Sequence, residues 1–147
     1  MKIALAQHNF IIGDFEKNAQ IIASSIEKAK IDGAGLIVFP ELAITGYPPR
    51  DFLEFTDFIN KTTQAIHGLA QICHGIAALI GGPAPNHSGG GKPLYNAAWL
   101  LQDGSVKQLF YKSLLPNYDV FDEYRYFEPA TGSGVVEVNG TRLAVTI

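Results

Sequence analysis

The chain has 147 residues, 47% of them hydrophobic and 17% charged, with a formal net charge of −3. That length supports one hydrophobic core, and the balance is that of a folded domain rather than a disordered segment. No block of like charge offers a nucleic-acid stripe, no apolar run reaches membrane-span length, and a single cysteine cannot form an internal disulfide. Neither a nucleic-acid nor a membrane partner is expected, and the cysteine usage fits a reducing cytoplasm.

Short β-rich runs alternate with helical patterns, which argues for a layered α/β domain over residues 1–147, without repeat or interdomain linker. Ile3 to Ala6 reads as the first strand, since the apolar stretch breaks too soon, at His8 and Asn9, for a signal peptide. Asp14 caps a helix whose apolar positions Phe15, Ala19, Ile22, Ile26 and Ala29 recur every three or four residues, and Asp32-Gly33-Ala34-Gly35 ends it. Leu36 to Phe39 is a continuous apolar run, as in a strand buried on both faces. Asp51 and Glu54 have capping-box spacing before a second helix. That helix restarts near Thr56 and runs to about His74, with Phe55, Ile59, Ile66, Ala70 and Cys73 on one side. Ile76 to Ile80 is another strand, closed by Gly81-Gly82-Pro83. Leu94–Gln102 and Val106–Tyr111 flank Asp103-Gly104, and Val135–Val138 and Arg142–Ile147 flank Asn139-Gly140; both dipeptides are hairpin signals that need positive φ. Leu115 to Gly134 has no clean period, and a long irregular segment in a small domain is usually functional.

Several polar residues invite chemistry. Glu41 follows a buried strand and a proline, where α/β folds place their sites, although position alone equally fits a solvated loop glutamate. Thr45 to Asp51, with two prolines, makes a rigid turn beside it. Lys112 ends the arm of a hairpin, where a lysine stabilises developing negative charge or merely guards a sheet edge. Glu123 sits among aromatics, which favours shifted protonation, but an exposed ion pair with Arg125 fits the same pattern. Cys73 has the helical spacing of a small core residue. His67 and His74 are a heptad apart, too far for a helical zinc pair, so no metal site is expected. Ser88 to Pro93 departs from a phosphate loop at Asn86 and Pro93 and reads as a loop tip.

The motifs Val38-Phe39-Pro40-Glu41-Leu42 and Tyr111-Lys112-Ser113-Leu114-Leu115-Pro116 resemble those of the nitrilase, or carbon–nitrogen hydrolase, superfamily, whose members carry a Glu-Lys-Cys set on an αββα sandwich. The longer stretches Glu41 to Asp51 and Lys112 to Phe127 are similar to the glutaminase domains of glutamine-dependent NAD synthetases. Many other amidases of the superfamily have a histidine where this chain has Leu114. The resemblance covers Met1 to Ile147 and implies an αββα fold, incomplete in this chain. It further implies Glu41 as general base, Lys112 as oxyanion stabiliser, Glu123 as a supporting glutamate, and Tyr47, Tyr118 and Phe121 as glutamine-binding residues. The family's cysteine is expected directly after the strand ending Leu143-Ala144-Val145-Thr146-Ile147, so these residues alone are expected to be inactive. The implied partners are glutamine, a C-terminal synthetase domain that uses ATP and Mg²⁺ to amidate deamido-NAD, and a second copy of the sandwich. No cofactor is expected in this part. A free-standing ω-amidase or carbamoylase, and a non-catalytic interaction fragment, remain open alternatives.

Overall fold

Five strands lie side by side in chain order: β1 (Ile3–Leu5), β2 (Leu36–Val38), β3 (Ala77–Pro85), β4 (Leu94–Gln102) and β5 (Ser105–Tyr111). The computed structural model describes residues 1–132 and 134–147; Ser133, within the segment read as irregular, lies outside the described residues. β1, β2 and β3 are parallel because α1 (Phe15–Ile31) and α2 (Thr56–Ala70) are the crossovers, whereas β4 and β5 return antiparallel. A single turn, α3 (Glu123–Tyr126), precedes a separate hairpin of β6 (Gly134–Val138) and β7 (Thr141–Val145).

The period-2 alternation of the strands decides the layers. Ile37, Ala78, Ile80, Trp99 and Leu101 pack against Ile22 and Ile26 of α1 and Ile66 and Ala70 of α2. Their neighbours Leu36, Ala77, Leu79, Leu100 and Phe110 face the other way, onto Val136, Val138, Leu143 and Val145. The layers run helix, sheet, sheet, with no second layer of long helices among the described residues. This is the expected nitrilase-type arrangement in part. Asp14 caps α1 as expected, its Oδ1 accepting from the Lys17 amide at 3.1 Å. Both hairpin dipeptides have two positive φ angles, 50° and 75° at Asp103-Gly104 and 49° and 74° at Asn139-Gly140.

Four local expectations are corrected. Asp51 and Glu54 do not cap α2; they belong to a 3-10 helix, Arg50–Glu54, and pair with Arg125 instead. Phe55 is 60% exposed rather than on the buried side of α2, which ends at Ala70 and not at His74. Gly81-Gly82-Pro83 does not close β3, because the strand runs through to Pro85. A Cβ at Gly81 would lie 2.4 Å from the Pro40 carbonyl oxygen and 2.5 Å from the Leu42 nitrogen. The glycine is there to let another backbone lie against the strand, which is the second meaning of a strand glycine.

Candidate active site

The backbone lying on Gly81 is the loop that carries Glu41. β2 ends at Val38, the Ile44 amide donates to the Gly81 carbonyl at 3.2 Å, and Leu42 takes φ 52°. Leu42 is buried with Leu53, Phe58, Leu94 and Phe127. Phe127 is 1% exposed, and burying a side chain of that size stabilises by about 1.5–3 kcal/mol. Because Phe127 directly follows α3, that burial also fixes the turn whose first residue is Glu123. Lys112 leaves β5 with its amide donating to the Asn96 carbonyl at 2.9 Å.

These elements bring Glu41, Lys112 and Glu123 together. The Lys112 ammonium donates to Glu41 Oε1 at 2.8 Å and to Glu123 Oε1 at 3.0 Å, and lies 2.9 Å from Glu123 Oε2. Lys112 and Glu123 are buried, and Glu41 is partly open. The edge-guarding role for Lys112 is thereby set aside, as is the Glu123–Arg125 pair, since Arg125 reaches Asp51 and Glu54.

A fourth side chain joins them that the sequence reading passed over. Asn96 of β4, 1% exposed, donates from Nδ2 to Glu41 Oε1 at 2.6 Å and to Glu123 Oε2 at 3.3 Å. Its Oδ1 has no donor among the described residues. Leaving a buried acceptor unpaired costs about 1–3 kcal/mol, so the amide is held in place by what its other end does. The available signal was an asparagine inside the apolar run Leu94 to Leu101, where a polar residue needs a buried partner.

Two carboxylates around one ammonium set the electrostatics. Burial by itself would pull the Lys112 ammonium down, but its hydrogen bonds and charge contacts with Glu41 and Glu123 outweigh burial and hold it above the ordinary lysine value. Burial pushes the Glu123 carboxyl up, and the Glu41 charge adds to that, while Lys112 and Asn96 oppose it. Lys112 is therefore a fixed cation. Among the described residues the hydrogen bonds to the Glu41 carboxyl fall on Oε1 and none on Oε2.

Tyr47, whose bond to Pro48 is cis, and Phe121 line a small cavity of about 40 Å³ with Leu42, Leu53 and Glu123. Burial, then the charges of Glu123 and Glu41, raise the Tyr47 hydroxyl. Tyr118 is 69% exposed and meets Phe121 edge to face at 5.7 Å, outside that cavity and in a groove with Lys112. A separate cleft of about 190 Å³ has Glu41, Gly81 and Ala98 on one wall and Thr146 and Ile147 on another. Cys73 is remote in role: it is fully buried in the helix-side core, its Sγ donates to the Leu69 carbonyl, and burial pushes its thiol up to about 11.

The layered sheet thus carries a Glu-Lys-Glu cluster, buried at Lys112 and Glu123 and partly open at Glu41. Residues 2–147 match the carbon–nitrogen hydrolase family, and the chain belongs to it. Among its relatives, the glutamine-dependent NAD(+) synthetase of Synechocystis sp. is 42% identical over 99% of this chain, which spans 27% of that protein. The solved structure of glutamine-dependent NAD+ synthetase from Acinetobacter baumannii, in complex with ADP, superposes with a TM-score of 0.88 at 35% identity, covering 98% of this chain and 27% of that one. An amidase from Nesterenkonia sp. AN1, seen with acrylamide added at its active-site cysteine, superposes with a TM-score of 0.81 at 25% identity, covering 98% of this chain and 56% of that one.

Proposed function

We propose that this domain hydrolyses the side-chain amide of glutamine within a longer glutamine-dependent NAD synthetase, supplying ammonia to amidate deamido-NAD. The observation that carries the reading is the cluster itself, a carboxylate with a free oxygen beside a buried ammonium, in a domain of this family. In this reading the nucleophile is a cysteine following Ile147, and what supports it is that Ile147 lines the same cleft as Glu41. Glu41 takes the thiol proton, and the thiolate attacks the amide carbon. Lys112 faces the carbonyl oxygen as negative charge develops there. The proton passes to the departing nitrogen, ammonia leaves, and water deprotonated by the same glutamate opens the thioester to glutamate. Glu123 holds Lys112, and Tyr47, Tyr118 and Phe121 bind the substrate. ATP and Mg²⁺ serve the synthetase domain and need no residue of this chain. Residence in the cytoplasm and pairing of two domains belong to the same reading.

The test is ammonia release from glutamine by the longer protein and by these 147 residues, with and without ATP and deamido-NAD. Release by the longer protein, coupled to deamido-NAD, and none by the 147 residues is the expected result. Turnover by the 147-residue chain overturns the assignment of the nucleophile. Hydrolysis of small amides with no coupling to ATP favours a free-standing amidase, and inertness of the longer protein favours a binding role.

A further inference from the structure

We infer that Asn96 is a positioning residue for the base: its amide holds Glu41 by Oε1, so that Oε2 alone receives protons, and ties Glu41 to Glu123. The inference rests on the amidase reading for its meaning in catalysis, but not for its geometry.

Among the described residues, both hydrogen bonds to the Glu41 carboxyl fall on Oε1, one from Lys112 at 2.8 Å and one from Asn96 at 2.6 Å. A carboxylate gripped twice on one oxygen cannot rotate that oxygen into the attack path without breaking both bonds, so the other oxygen is left facing outward. Lys112 alone does not secure this, because it is shared with both oxygens of Glu123. Asn96 supplies the second grip from another element, as the third residue of β4, where it pairs with Pro83. The amide's orientation is dictated by chemistry: both neighbours are carboxylates, which only accept, so Nδ2 must face them. The buried Oδ1 without a donor is the consequence of that choice. A purely structural asparagine would satisfy both ends.

The groups that face Glu123 are Lys112, Glu41, Asn96 and Tyr47. Removing the amide donor takes away one of the two contacts that oppose protonation of Glu123. The experiment is carbon-detected NMR titration of the Glu123 carboxyl in the 147-residue chain, in Asn96→Leu and in Asn96→Ala. Asn96→Leu removes the donors at similar volume; Asn96→Ala removes them without added bulk, and neither adds a charge. Both variants are expected to raise the proton affinity of Glu123, since the amide is one of the contacts that oppose its protonation. In the unaltered chain the Asn96 side-chain amide protons are expected to shift with the Glu123 titration. An unchanged Glu123 titration in both variants, or Asn96 amide signals blind to it, overturns the inference. If Asn96→Leu fails to fold, the amide signals of the unaltered chain and Asn96→Ala still decide. No substrate or nucleophile enters the measurement, so its failure leaves the amidase reading standing, and lack of glutamine turnover bears on that reading alone.

Discussion

Replacing Lys112 by methionine keeps the volume and stem of the side chain but leaves Glu41 and Glu123 facing each other. Both carboxylates lie within 3 Å of the same nitrogen, at 2.8 and 2.9 Å, so they are no more than about 6 Å apart. At an effective dielectric constant of about 20, two unit charges at that distance repel by about 3 kcal/mol. Breaking a buried ion pair costs about 3–5 kcal/mol, and the Glu41 side chain is 32% exposed, so solvent holds the figure at the low end. The loss is pH-dependent with a definite sign. Glu123 binds its proton more tightly folded than unfolded, so lowering the pH through its raised folded midpoint favours the native state. Without Lys112 that midpoint rises further. The variant is expected to lose about 3 kcal/mol at about pH 7 and to lose less at about pH 5. Urea unfolding followed by emission of Trp99, the one tryptophan and 5% exposed, measures both. A loss that is equal at the two pH values, or below about 1 kcal/mol at neutral pH, refutes the argument.

Gly81→Ala is expected to destabilise the chain by about 1–3 kcal/mol by forcing the Glu41 loop off β3, whereas Gly68→Ala, in α2 with open space around it, is neutral or stabilising; urea unfolding compares them. Cys73, fully buried and with its thiol raised to about 11, is expected to react with a thiol reagent only as fast as the chain opens, and rapid labelling of the native state contradicts its core position. The Tyr126 hydroxyl is raised to about 12 by burial and by its bond to Asp51, so Asp51→Asn lowers the tyrosinate midpoint in an absorbance titration.

What the sequence revealed depended on whether the cause of a feature was local. Asp14 and the two Xaa-Gly turns were legible because their causes lie within four residues: an amide to be capped, or two positive φ angles in succession. Gly81-Gly82-Pro83 was misread because its cause is the loop at Pro40 to Leu42, which no local pattern reveals. The same holds for Asp51 and Glu54, whose partner is Arg125. Glu41 and Lys112 stood out through their motifs, but their mutual contact did not, and Asn96 was hidden in an apolar strand. Residues held by distant partners are the ones a linear reading passes over.

The cluster joins positions far apart in the chain: 71 residues separate Glu41 from Lys112, and 55 separate Glu41 from Asn96. Lys112 and Glu123 are only 11 apart. The local half can form in a partly folded chain, but Glu41 reaches the ammonium only once β2, β3, β4 and β5 have all found their order. The contact between the ammonium and Glu41 thus reports that the sheet is complete. An incompletely folded molecule keeps Glu41 apart from Lys112 and Asn96, so the buried cluster is a property of the finished sheet alone.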